Sequence, residues 1–330
     1  MPDLRILNAA EVRQALPMSA VIEAMKAAFN QFSAGQADVP LRSRIPLPQQ
    51  NGVALFMPAY LTQSDDLAVK VVTVFPNNIQ QGQPIIYATV LVLDTVTGRP
   101  LALLEGSALT AIRTGAGAGA ATDLLARSDA ETATIIGSGV QARTQLEAVC
   151  TVRPIRTVWL YSPNEQHAQA FAAEMAGQGP IPTDIRPVST VNEAVEAADI
   201  ICTATTSSNP VFDGRALKPG THINAVGSYT PHMQEVDITT IRRALVVVDS
   251  RESAMAEAGD LIVPLQAGEI TESHIHAELG EIVAGTRDGR TTPDQITYFK
   301  SCGLAVQDAA AARLALQNAL RLNLGTVISL

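Results

Sequence analysis

The sequence predicts an α/β protein of two domains, and three observations carry that expectation. A chain of 330 residues allows about two domains at ~100 to 200 residues each. The hydrophobic rhythm changes near residue 131: before it, short β-branched runs bounded by Gly, Pro and Asn read as an antiparallel sheet, and after it apolar strands alternate with helical runs, as in a parallel sheet covered on both faces. Hydrophobic residues make up 47% of the chain and charged residues 17%, so a substantial core can form. Aromatics are only 4%, which leaves the packing to Ala, Val, Ile and Leu.

Taken in order, residues 19–32 place Val21, Met25, Ala28 and Phe32 at helical spacing, so a helix opens the first domain. Strands are predicted over residues 53–56, 68–75 and 85–93. Residues 110–126 form an Ala/Gly-rich helix in which Gly115 and Gly119 permit close approach to another backbone, at about 1 kcal/mol of propensity per glycine. In the second half, strands are predicted at 132–136, 157–161, 199–205, 222–228 and 244–250, with helices starting near 140 and 164. A final strand at 296–301 and a long helix at 304–322 close the chain, and residues 285–294 read as a surface loop.

Composition excludes several classes. The net charge of −9 argues against a phosphate-tracking nucleic-acid binder. Cys150, Cys202 and Cys302 are far apart and lack metal-ligand spacing, so neither a disulfide framework nor a zinc site is expected. The charged N-terminal segment has no apolar signal region, and no stretch reaches the ~18 apolar residues of a membrane helix. A soluble cytoplasmic protein is expected.

The most specific local signal follows the strand at 132–136: Gly137-Ser138-Gly139-Val140-Gln141-Ala142, a G-x-G-x-x-A turn that opens a helix. This is the dinucleotide-binding context of a Rossmann fold. Gly137 permits the turn, Gly139 admits a pyrophosphate, Ala142 allows close helix packing, and the helix N-terminus offers N–H donors. Ser162 ends the second strand, where an acidic residue would grip the ribose 2′-OH of NAD; Pro163 and Asn164 follow. Neither an acid nor an arginine stands there, so the choice between NADH and NADPH stays open with a lean to NADPH.

Three cations sit in apolar surroundings: Arg44, Lys70 and Arg113. Lys70 interrupts an apolar strand, and a buried cation needs a partner, which a bound acid can provide. His167, His222, His232, His274 and His276 form no metal-ligand set, because the stretch holding His274 and His276 reads as helical, where residues two apart diverge. Cys302 at the end of the last strand either lines a ligand cavity or is a structural core residue.

Several ordered segments resemble the ornithine cyclodeaminase/μ-crystallin family: FMPAYL (56–61), KVVTVFPNN (70–78), VLDTVTGRPLALLEGSALTAIRTGA (92–116), GSGVQAR (137–143), ADIICTATTSSNPVF (198–212), HINAVGSYTPHMQEVD (222–237) and KSCGLAVQD (300–308). The resemblance implies a homodimer whose Rossmann domain, residues 120–302, is inserted into an α+β dimerisation and substrate domain, residues 1–119 plus 303–330. It further implies that Arg44 and Lys70 hold a substrate carboxylate, while Arg113, Val140, Gln141, Thr203, Val226, Gly227 and Ser301 line the nicotinamide cofactor.

Departures from the family pattern narrow the expected activity. Cyclodeaminases proper carry an Asp where Tyr229 stands, and the GSYTP form is similar to members that reduce cyclic imines. Tyr229 and Cys302 join the substrate-binding candidates. The resemblance thus implies NAD(P)H-dependent reduction of Δ1-pyrroline-2-carboxylate or Δ1-piperideine-2-carboxylate to L-proline or L-pipecolate, with no metal, nucleic-acid or membrane partner. Alanine dehydrogenase or another imino- or oxo-acid reductase, ornithine cyclodeaminase, and a non-catalytic ligand-binding protein are the alternatives.

Overall fold

A computed structural model describes residues 3–329. The chain divides into two compact units, residues 1–113 with 304–330 and residues 114–303. The first unit opens with β1 (Asp3–Leu7), β2 (Ala37–Asp38), β3 (Ser43–Leu47), β4 (Gly52–Leu61), β5 (Asp66–Val74), β6 (Ile86–Leu93) and β7 (Pro100–Glu105). The second holds β8 (Thr132–Ile136), β9 (Thr157–Tyr161), β10 (Ile185–Val188), β11 (Ile200–Thr203), β12 (His222–Ala225), β13 (Ala244–Val248), β14 (Ile275–Glu278) and β15 (Ile296–Lys300). The chain ends in β16 (Thr326–Ser329), which pairs with β1 in the first unit.

In the first unit the sheet runs in the order β16-β1-β7-β6-β5-β4-β2, with β3 paired to β4. It is antiparallel except where β1 lies parallel to β7. Side chains alternate across a strand, so each strand commits one set to the core. Met57, Ala59 and Leu61 of β4, Ala68 and Lys70 of β5, and Val90 and Val92 of β6 are buried beneath the helices Met18–Ser33 and Ala305–Leu322. The last helix buries Ala305, Ala309, Ala311, Ala312, Ala315 and Ala319, whose small side chains allow it to lie close to the sheet.

The second unit is a wholly parallel sheet in the order β10-β9-β8-β11-β12-β15-β13-β14. Ile135, Ile201, Ile223, Val246 and Val248 are fully buried, as expected for strands covered on both faces. The order reverses at β8, the doubly wound arrangement of a dinucleotide-binding sheet. Among the described residues, no helix is long and apolar enough to cross a membrane.

The structure corrects several expectations. The units divide after Arg113 rather than after residue 119, because a Cβ at Gly115 would strike the Thr144 backbone and Gln145 donates to the Thr114 carbonyl. That half of the helix Gly106–Leu125 therefore belongs with the parallel sheet. The second division falls after Gly303 rather than residue 302, since the Asp249 carboxylate takes the N–H groups of both Cys302 and Gly303. The helix expected around His274 and His276 is only a short turn, Glu272–His274, after which the chain extends and places His276 in β14. The strand at 296–300 is not the last one, since β16 follows.

Candidate active site

In an open parallel sheet, ligands bind outside the strand carboxyl ends where the order reverses. Here that place is the end of β8. Gly137 follows with φ +116°, and a Cβ there would collide with the Ala204 backbone, so glycine is required. Gly139 is the N-cap of the helix Val140–Val152, no side chain caps that helix end, and a Cβ at Gly139 would meet open space. The first-turn N–H groups, which no helix satisfies internally, thus face an uncrowded cradle that fits a pyrophosphate. Ala142 is fully buried in the role expected of it, while Val140 is exposed.

At the end of β9, the Ser162 hydroxyl lies 2.9 Å from that of Ser138, and the Asn164 side chain caps the next helix by accepting the His167 N–H. Arg143 fastens the turn from below: it donates to the Ser138 and Gly139 carbonyls at 2.7 and 3.2 Å, pairs with Glu174, and stacks on Phe171. The sequence reading singled out neither Arg143 nor Glu174.

Three buried carboxylates, also unforeseen, organise the carboxyl ends of the other strands. Glu235 accepts the Thr203 hydroxyl at 2.9 Å and the backbone N–H groups of Thr205, Gly227 and Ser228 at 2.6, 2.7 and 3.2 Å. Asp260 pairs with the fully buried Lys300 at 3.0 Å and accepts the Tyr298 hydroxyl and the Glu235 N–H. Asp249 accepts the Ser301 hydroxyl at 2.9 Å. Burial pushes the carboxyls of Glu235 and Asp249 upward; the Lys300 charge opposes this at Glu235, and the hydrogen bonds of the 301–303 segment oppose it at Asp249.

Among the predicted cofactor residues, Thr203 at the end of β11 and Gly227 and Ser301 on the loops after β12 and β15 are thus held by these carboxylates, and the Val226 N–H donates to the Thr203 carbonyl. Tyr229, on the loop after β12, is 54% exposed. Cys302 is half-buried, and burial raises its thiol pKa, which makes it a poor nucleophile. His222 is buried between Thr297 and Asn224, and burial pushes its imidazole down to about 3, so it stays neutral. No group of three or more His, Cys, Asp or Glu among the described residues could hold a metal.

The first unit holds the three cations that stand in apolar sequence. Lys70 points to the helix-covered face of β5 and is 3% exposed, with Nζ 2.5 Å from the Asp308 carboxylate. Arg113 donates through Nε to the other Asp308 oxygen at 2.9 Å and through Nη1 to Gln307 at 3.0 Å. Burial pushes the Lys70 ammonium down to about 8; Asp308 opposes this, and the charges of Arg113 and Arg42 add to it. Arg44 is exposed on β3, whereas Arg42, two residues earlier, is half-buried and is the arginine of this segment whose charge reaches Lys70. Asp308 was missed because its helix reads as an Ala-rich packing element; one acid among buried alanines was the available signal.

Comparison with known proteins matches this architecture over its whole length. The chain is 43% identical over 321 residues, 97% of this chain and 98% of the other, to a Δ1-pyrroline-2-carboxylate reductase of Bacillus cereus. It superposes with a TM-score of 0.92 and 46% identity on Thermococcus litoralis Δ1-pyrroline-2-carboxylate reductase in complex with NADH and L-proline, covering 98% and 99% of the two chains. An archaeal alanine dehydrogenase dimer with bound NAD follows at TM-score 0.91 and 34% identity, covering 99% of each chain. The model of the ornithine cyclodeaminase/μ-crystallin family matches residues 3–323, and with relatives of this identity and coverage the chain belongs to that family.

Proposed function

We propose that this protein is an NAD(P)H-dependent reductase of a cyclic ketimine carboxylate, Δ1-pyrroline-2-carboxylate or Δ1-piperideine-2-carboxylate, forming L-proline or L-pipecolate. The observation that carries the reading is the buried Lys70–Asp308–Arg113 cluster, in which two cations share one carboxylate. Such a cluster favours the entry of a small anion. Two relatives support it, a Δ1-pyrroline-2-carboxylate reductase and a second such reductase bound to NADH and L-proline.

When bound, the dinucleotide supplies a hydride; Gly137, Gly139, Val140 and Gln141 would hold its pyrophosphate, Ser162 its ribose, and Thr203, Val226, Gly227 and Ser301 its nicotinamide end. Lys70 holds the substrate carboxylate or imine and orients it, and Asp308 keeps that ammonium in place. Arg42 is the preferred partner for the carboxylate because it is half-buried whereas Arg44, the second candidate, is exposed. Arg113 is committed to Asp308 and Gln307 and helps to hold that carboxylate against Lys70. With no acid at 162–164, NADPH is accepted at least as well as NADH. The working form is a homodimer, as in the alanine dehydrogenase relative.

Tyr229 stands where a cyclodeaminase needs a carboxylate, which disfavours ornithine deamination. Reductive amination of an oxo acid is the second reading, favoured by the likeness to alanine dehydrogenase. One panel separates them: purified protein with pyrroline-2-carboxylate, piperideine-2-carboxylate, pyruvate plus ammonia, and ornithine, each with both cofactors. Cyclic imine reduction should dominate. Faster turnover of pyruvate plus ammonia, or ammonia release from ornithine, would overturn the proposal.

A further inference from the structure

In a doubly wound sheet the two halves each take one mononucleotide. The glycine turn and Ser162 belong to the half built on β8, β9 and β10, which takes the adenosine end. The nicotinamide end then falls to β11, β12 and β15. The loops leaving β11 and β12 are joined through one side chain. Oε1 of Glu235 accepts the Thr205 N–H, and Oε2 accepts the Thr203 hydroxyl and the N–H groups of Gly227 and Ser228.

From this geometry we infer that Glu235 is the positioning residue of the nicotinamide half, setting the spacing of the two loops between which that end of the cofactor lies. The inference rests on the dinucleotide reading given above. Four donors converge on two oxygens, so the group acts as a carboxylate rather than as a neutral acid. Gly227 is bound to the arrangement, because a Cβ there would run into both the Glu235 carboxylate and the Thr205 carbonyl. The clamp is itself anchored: Asp260 accepts the backbone N–H groups of Glu235 and Val236 at 2.6 and 3.2 Å and pairs with Lys300, whose charge offsets the buried carboxylates. The hydrogen bonds of the Glu235 carboxylate go to Thr203, Thr205, Gly227 and Ser228 and to none of residues 137–142. Its influence on the reaction is therefore through loop geometry.

The test uses two ligands that differ by the nicotinamide end. NADH spans both halves, whereas ADP-ribose occupies the adenosine half and stops short of the nicotinamide. Glu235→Gln keeps the volume but turns an amide N–H₂ toward backbone N–H donors, whichever oxygen it replaces. Titration should show NADH binding weakened at least about tenfold, the scale of a lost hydrogen bond to a charged group, with ADP-ribose binding unchanged. Thr203→Val, nearly isosteric and lacking one donor, should show the same selective loss to a smaller degree. It decides the matter if Glu235→Gln does not fold. Equal loss of both ligands would reduce Glu235 to a general stabiliser and overturn the inference, as would no loss of either. Wild-type protein that binds neither ligand would instead remove the dinucleotide reading, and the inference with it.

Discussion

Each unit contains a buried ion cluster, and the two have opposite balance. In the first, Lys70 and Arg113 share the single carboxylate of Asp308. In the second, the carboxylates of Glu235 and Asp260 share the single cation Lys300. The negative excess of the second cluster is met by backbone N–H groups from Thr205, Gly227, Ser228 and Val236, so its charge goes into holding loops. The positive excess of the first meets one amide oxygen, that of Gln307, at Arg113. Burying a charge is costly unless it is paired, so the positive excess of the first cluster is what the proposed anionic ligand would answer, whereas the negative excess of the second is architecture.

Breaking the Asp308 pairings should give the largest effect. Asp308→Ala leaves two buried cations facing each other, and loss of one partner of such a pair costs about 3–5 kcal/mol of stability, readable as a lowered urea midpoint. An unchanged midpoint would mean that Lys70 and Arg113 find other partners. Lys70→Met keeps most of the side-chain length, and Arg113 still pairs with Asp308, so the fold should survive. Its kcat/KM for the cyclic imine should fall by at least ~2 kcal/mol, about 30-fold, the worth of a charge-assisted contact in a water-poor site. A fully active Lys70→Met would remove Lys70 from the site.

The pH dependence sharpens the contrast. With its ammonium held near 8 instead of the ordinary 10.5, Lys70 should lose its charge as pH rises through about 8, and kcat/KM should fall about tenfold per further unit. Lys70→Arg should move that limb to higher pH. A limb that stays in place belongs to another group. Stability follows the opposite sign: between about 8 and 10.5 the unfolded chain holds a proton the folded one has released, so the contribution of this group to stability rises with pH across that window. The smallest effect is expected at the adenosine ribose. Ser162→Asp should repel a 2′-phosphate and shift the ratio of kcat/KM for NADPH and NADH toward NADH by several-fold, on the order of 1 kcal/mol. An unaltered ratio would show that Ser162 does not face the ribose.

Much of the parallel unit was legible along the chain. Its strands are buried on both faces and appear as continuous apolar runs, and the turn at Gly137–Ala142 needs residues that are neighbours in sequence. The exceptions, β10 and β14, are four-residue runs at the two edges of the sheet; β10 contains Pro187, and β14 begins right after a short helical turn. The antiparallel unit was less legible. The expected strands at 53–56, 68–75 and 85–93 correspond to β4, β5 and β6, while β1, β2, β3, β7 and β16 went unread; β3 and β16 are largely exposed edge strands with little apolar pattern.

Lys70 stood out in the sequence because a cation in an apolar strand is anomalous wherever it occurs. Its partner could not be read there: Asp308 lies on the last helix, and only the docking of that helix on β5 brings it to Lys70. The same holds for Glu235, an unremarkable acid until β11 and β12 bring their loops to it. Sequence by itself determined where backbone conformation and burial are dictated by near neighbours, because helix and strand periodicity and glycine stereochemistry act over a few residues. The tertiary structure decided which charges meet, because electrostatic pairing depends on distance in space and on the exclusion of water, neither of which is encoded by spacing along the chain.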